Sequence, residues 1–183
     1  CHQRLVKQNK PQFAFNGGDL KSWQRKLRRK VAELTGFTRM PKPADRPALR
    51  VRSLWKREHG LGTIEKIALA AEPGSDILGY VCLPKSADPP YRWFICLQGH
   101  STGAHWSIGV QRDDETKPFE GEGDRDFGLE CMRRGLAALC IEQRSFGLRR
   151  ELKQEDTHDH GCIDATMHAL MLGRTLIAER VYD

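Results

Sequence analysis

The sequence contains no C-x-x-C pair, no apolar run approaching the length of a membrane span, no internal repeat and no low-complexity segment. The first absence argues against a zinc ribbon or a disulfide framework. The six cysteines, Cys1, Cys82, Cys96, Cys131, Cys140 and Cys162, read instead as thiols in a reducing compartment. Three of them, Cys82, Cys96 and Cys140, fall within apolar strand-like runs, where a thiol behaves as a small hydrophobe. The second absence leaves no predicted transmembrane helix, and the polar, basic start does not resemble a signal peptide. The expectation is a cytoplasmic protein without a membrane partner. Charge is not strongly one-sided either: 30 Lys and Arg against 24 Asp and Glu give +6, an excess concentrated in the first third and too modest to define a nucleic-acid binder. A hydrophobic fraction of 39% with 30% charged residues excludes a disordered chain. The chain starts at Cys1 with no initiator Met and stops inside the helical pattern Leu176–Asp183 with no Gly or Pro after it. The expectation from both ends is a piece of a longer protein.

What is present divides near residue 48. Leu20 to Leu34 carries Trp23, Leu27, Val31 and Leu34 at three- and four-residue spacing, which predicts a helix with one apolar stripe. Lys21, Arg25, Lys26, Arg28, Arg29 and Lys30 cover the remaining surface. Asp19 or the glycines before it can start this helix, and Gly36 can end it. Such a helix suits a place on the domain with a solvated basic face; a non-catalytic module using Leu20–Leu34 for binding is the alternative. Pro41, Pro43 and Pro47 then make an extended connector. Residues 1–48, with this helix and the connector, precede the predicted strands.

Three strands are predicted next, at Leu49–Glu58, Thr63–Ala71 and Ile77–Leu83, joined by short turns bearing Gly60, Gly62 and Gly74 and hence antiparallel neighbours. Trp93–Gln98 is an apolar run that suits a strand covered on both faces. Residues 111–125 read as a loop. A short helix over Asp126–Arg134, with Phe127, Cys131 and Met132 on one side, precedes a second apolar strand at Leu136–Ile141. Strand, loop, helix, strand is a crossover that implies a parallel pair. A final helix from about Ile163 would turn Met167, Leu170, Met171, Ala178 and Val181 inward. The fold class is therefore α/β, antiparallel strands followed by a parallel βαβ unit, with a leading basic amphipathic helix.

The chemistry concentrates where the Trp93–Gln98 strand runs into Gly99-His100-Ser101-Thr102-Gly103. Read literally, this is G-x-S-x-G, the elbow that presents a serine nucleophile, here Ser101. Glu142, Asp156 or Asp159 could then serve as acid and His158 or His160 as base. An elbow should feed a substantial helix, whereas residues 104–110 contain Gly109 and run into Gln-Arg-Asp-Asp-Glu. The other reading makes Gly99, His100 and Ser101 an oxyanion loop. Acyl transfer develops negative charge on the substrate carbonyl oxygen, and fixed backbone N–H groups aimed there stabilise the transition state more than the ground state. The His100 N–H would be the main donor. A purely structural role, two tight-turn glycines with His100 and Ser101 capping a short helix, stays open. Gln98, Glu142 and Arg144 stand at carboxyl ends of strands, where α/β sheets place their sites. They are candidates for the substrate cleft, although an ion pair between Glu142 and Arg144 that orders the loops is favoured. His158-Asp159-His160-Gly161-Cys162 has the composition of a metal cluster but lacks a second ligand pair, so no metal is expected.

Several of these segments, taken in order, resemble one family. Gly135-Leu-Ala-Ala-Leu-Cys-Ile-Glu142-Gln143-Arg144-Ser145-Phe146-Gly147 is similar to the fourth strand of α/β-hydrolases with its D-x-R-G-x-G-like ending. Gln98-Gly99-His100 resembles their H-G-x oxyanion loop, and Cys162–Asp183 resembles the helix before the nucleophile strand in the esterase branch, which includes acetyl xylan esterase-like and dienelactone hydrolase-like proteins. Gln98 replaces the usual His and Glu142 the usual Asp. The resemblance runs from about Trp23 onward. It implies that residues 49–183 are the N-terminal half of an α/β-hydrolase domain, truncated before the nucleophile strand, so that Ser, acid and His lie beyond Asp183 and this chain alone is inactive. It also implies a serine-type carboxylic ester hydrolase acting on a small-molecule ester, without metal or organic cofactor. The missing C-terminal half or a homo-oligomeric partner would cover the open sheet. The compact alternative, with Ser101 as nucleophile, conflicts with this order, because the D-x-R-like strand comes after that turn instead of before it.

Overall fold

A computed structural model describes residues 2–42, 45, 48–72, 74–100, 102–150 and 161–183. Ser101, Asp156, His158, Asp159 and His160 lie outside the described residues.

Helix α1 (His2–Gln8) leads to α2 (Leu20–Leu34), whose limits match the apolar spacing. The Asp19 carboxylate accepts from the N–H groups of Lys21 (3.1 Å) and Ser22 (3.2 Å), satisfying donors that a helix start leaves without a partner. Gly36 closes the helix at φ +74°. The expected place of this helix, laid on the domain, is not seen among the described residues. Trp23 instead donates its indole N–H to the Phe13 carbonyl (2.8 Å) and packs on Phe15, no α2 residue is buried, and Val31 and Leu34 remain exposed.

The sheet comprises β1 (Val51–His59), β2 (Gly62–Glu72), β3 (Ser75–Pro84), β4 (Trp93–Leu97) and β5 (Ala137–Ile141) in spatial order β1-β2-β3-β5-β4. The first three form the expected antiparallel meander, β5 runs antiparallel to β3, and β4 and β5 pair in parallel from Trp93↔Ala137 to Leu97↔Ile141. The connection between the parallel strands carries a 3₁₀ turn (Ala104–Ile108), the loop to residue 126, and α3 (Phe127–Arg133). Leu129 and Met132 of α3, with Ala104 and Ile108, cover Tyr80, Cys82, Cys96, Ala138 and Cys140 to make the core. Glu115 pins the long loop across the meander: its carboxylate accepts from the Trp55 indole (2.8 Å), the Tyr80 hydroxyl (2.7 Å) and the Lys66 ammonium.

Two expectations need correction. The β4 strand is not covered on both faces. Among the described residues it is an outer strand, and Trp93, Phe94, Ile95 and Leu97 are 52–66% exposed while Cys96 alone turns into the core. The final helix is two helices, α4 (Gly161–Met171) and α5 (Leu176–Tyr182). The Arg174 N–H bonds to the Ala169 carbonyl (2.8 Å) and the Gly173 N–H to that of Leu170 (2.9 Å), with Gly173 at φ +69°. This is a Schellman stop. Thr175 restarts the helix by accepting from the Ala178 N–H (3.2 Å). The break rotates the apolar pattern: Ala165, Ala169, Leu176, Ala178 and Tyr182 are buried, and Met167, Leu170, Met171 and Val181 are exposed. No helix among the described residues is long and apolar enough to cross a membrane.

Candidate functional site

The parallel pair sets the site. Both strands end at one edge of the sheet, and the segments that leave them, residues 98–104 after β4 and 142–150 after β5, meet there. Alternation puts the Gln98 side chain beneath its loop, where its amide donates to the Ser107 hydroxyl (2.8 Å) and the Arg125 carbonyl (2.7 Å). Gly99 and His100 are exposed at the top. Thr102 returns its hydroxyl to the Gly99 carbonyl (2.8 Å). Gly103 is extended at φ −158°, and a Cβ there would stand 2.7 Å from the Gly147 Cα, so the two loops touch backbone to backbone.

Glu142 occupies the seam between these loops. Its carboxylate is buried and accepts from the Ala104 N–H (3.0 Å) and the Leu148 N–H (3.3 Å). Burial pushes this carboxyl up from its ordinary value, against the two N–H groups that favour its charge. Gly147 is required beside it: φ is +44°, and a Cβ would collide with the Glu142 carboxylate. The next side chain, Gln143, donates its amide to the Gln98 carbonyl. Ser145 holds a left-handed φ of +67° within the same turn.

The expected ion pair between Glu142 and Arg144 is not formed, because Arg144 is taken up by other carboxylates. It makes a two-pronged contact with Asp183 (2.7 and 2.8 Å), with Glu72 (2.6 Å) and Glu179 (3.5 Å) completing the set. Arg149 binds the other face of Asp183 at 2.6 Å. Burial presses on the Arg144 guanidinium, and its carboxylates outweigh that pressure and hold its proton more firmly. Arg144 also lines a cavity of about 360 Å³ with Ser75, Asp76 and Arg149. The structure therefore joins Gln98 and Glu142 to the candidate loop by hydrogen bonds and places Arg144 in an ion network that ties α5 to the sheet.

The His100 side chain meets a group that sequence reasoning passed over. Its Nδ1 lies 3.5 Å from the Cys162 sulfur at the start of α4, and its ring stands edge-on to Phe146. Arg180 donates to the same sulfur (3.2 Å) and stacks 4.1 Å from the Phe146 centroid. Glycine spacing could not reveal this, because 62 residues separate His100 from Cys162. Behind the loop His105 is buried, and burial first, with the Arg112 charge adding, lowers its imidazole to about 4. No group of three or more His, Cys, Asp and Glu among the described residues could hold a metal ion.

No family model and no curated protein matches the sequence. Solved structures do. A protein assigned as an acetyl xylan esterase from Bacteroides fragilis superposes with a TM-score of 0.81 at 16% identity, over 99% of this chain and 46% of that one. A glucuronoyl esterase from Solibacter usitatus reaches 0.40 at 18% identity over 88% of this chain and 52% of that one. The chain thus has an α/β fold with a mixed five-stranded sheet and five helices among its described residues, similar to an esterase structure. It spans about half the length of the chains it matches.

Proposed function

We propose that residues 49–183 are the first half of an esterase-type α/β-hydrolase domain, residues 1–48 its N-terminal extension, and Gly99, His100 and Ser101 its oxyanion loop. The supporting observation is the seating of the 98–104 loop at the carboxyl edge of a parallel pair whose β4 is the outer strand among the described residues, within a fold like that of the Bacteroides protein. In this reading a serine from sequence after Asp183 attacks the carbonyl carbon of a small-molecule ester. The oxyanion formed is held by N–H groups that include that of His100. The alcohol leaves as the carbonyl reforms, and water releases the acid from the acyl-enzyme. Nothing in this sequence of steps calls for a metal or organic cofactor. The segment after the turn disfavours the literal elbow, since β4 leads into a five-residue 3₁₀ turn rather than a core helix.

Intact-mass analysis after fluorophosphonate treatment tests the assignment. The full-length protein should take one adduct that survives Ser101→Ala, and residues 1–183 should take none. An adduct on residues 1–183 that Ser101→Ala abolishes would make this chain a compact hydrolase with Ser101 as its nucleophile.

A further inference from the structure

We propose that Glu142 and Gln143 are positioning residues, two consecutive side chains that clamp opposite ends of the 98–104 loop. The inference rests on the reading of that loop as the oxyanion loop. The chemistry of the clamp is complementary. At one end the Gln143 amide N–H donates to the Gln98 carbonyl; at the other the Glu142 carboxylate accepts from the Ala104 N–H at 3.0 Å. The two cannot be exchanged, because a carboxylate at 143 would face a carbonyl and an amide N–H at 142 would face a backbone donor.

The loop needs such a clamp. An oxyanion donor lowers a barrier only if it is already aimed when charge develops, and reorganising it during the reaction forfeits the gain. A Cβ placed on Gly99 would meet nothing within 4 Å among the described residues beyond its chain neighbours, so packing does not fix its backbone. Position is imposed from the ends: Gln98 is moored below by Ser107 and Arg125, Thr102 donates to the Gly99 carbonyl, and the far end is held by Glu142. Glu142 also reaches Leu148, and its main-chain carbonyl accepts from Arg149 (3.1 Å), so the clamp is itself fixed by the β5 loop. The contact of Gly103 with Gly147 leaves the two loops no room to slide.

The test uses the full-length protein with p-nitrophenyl acetate as probe, comparing Gln143→Leu and Glu142→Leu, each of which removes the hydrogen-bonding group, with the parent. The clamp predicts that kcat falls roughly 10- to 100-fold while KM stays within about twofold. Affinity for phenylboronic acid, which forms a tetrahedral adduct, should fall by the same factor as kcat/KM. Gln143→Leu carries the test if the more buried Glu142→Leu does not fold. A folded variant with kcat within about twofold of the parent, or with a change in KM alone, overturns the proposal. If the parent hydrolyses no ester, the esterase reading fails by itself. Amide exchange then judges the clamp: fast exchange at Ala104 in Glu142→Leu against slow exchange in the parent supports it, and equal rates overturn it.

Discussion

His105 shows how burial, with a neighbouring positive charge adding, can give one side chain a large effect on stability. Its imidazole is held neutral to about pH 4, whereas in the unfolded chain it takes up a proton near its ordinary value of 6.5. A base with a lowered folded pKa makes the unfolded state bind more protons between those two values, so stability falls as pH drops through that window. A shift of this size corresponds to about 3 kcal/mol, fully present above pH 6.5 and lost by about pH 4. Urea unfolding of the parent should therefore show a marked loss of stability between pH 7 and pH 4.5. His105→Leu should flatten that slope whatever it does to stability at pH 7. A slope that survives the substitution would assign the effect to other groups.

At the scale of elements, the corner between α4 and α5 also organises the N-terminal extension. A Cβ on Gly36 would stand 2.5 Å from the Gly173 carbonyl oxygen, Thr175 donates its hydroxyl to the Thr35 carbonyl (2.9 Å), and Gly173 at φ +69° faces the Arg39 guanidinium. Gly36→Ala adds both a left-handed strain and a collision with the Gly173 main chain, for a cost of about 1–3 kcal/mol. It should also undock residues 35–39, seen as faster amide exchange there than in β2 and β3; equal protection in both regions would count against the corner as the anchor. The same corner shows where the sequence was readable and where it was not. Period and turn residues placed α2, the meander and the parallel pair closely, because each signal is local: an Asp cap, glycines between alternating runs, a short apolar strand after a helix. The stop at Gly173 and the cap at Thr175 are local signals too, but the apolar residues across them hid the break. The inward face of α4 then came out wrong, because small Ala165 and Ala169 face the protein and larger Met167 and Leu170 do not. The segment after β4 was legible as a loop, and Gln98 and Glu142 do hydrogen-bond at its two ends. The Cys162–His100 and Arg144–Asp183 contacts were not, because only the folded chain brings those positions together.

At the scale of the whole molecule, the outer strand β4 and the last two helices carry exposed apolar surface. The β4 strand offers the row Trp93, Phe94, Ile95 and Leu97, and α4 and α5 add Met167, Leu170, Met171, Ile177 and Val181, all exposed. An apolar outer strand with unsatisfied main-chain groups is a template for pairing with another chain. Residues 1–183 in isolation should therefore self-associate, giving a light-scattering mass that rises with concentration. Ile95→Lys should suppress this, because a charge on an edge strand opposes edge-to-edge pairing without disturbing a packed core. The same substitution separates the two ways the row could be covered. If later sequence in the full-length protein packs on β4, Ile95→Lys buries an unpaired ammonium there and destabilises the protein by about 2 kcal/mol or more. If a second copy covers the row instead, the full-length variant becomes monomeric with its unfolding midpoint nearly unchanged. A 1–183 chain that stays monomeric at all concentrations without the substitution would mean that β4 does not template association, and the half-domain reading would lose its physical consequence.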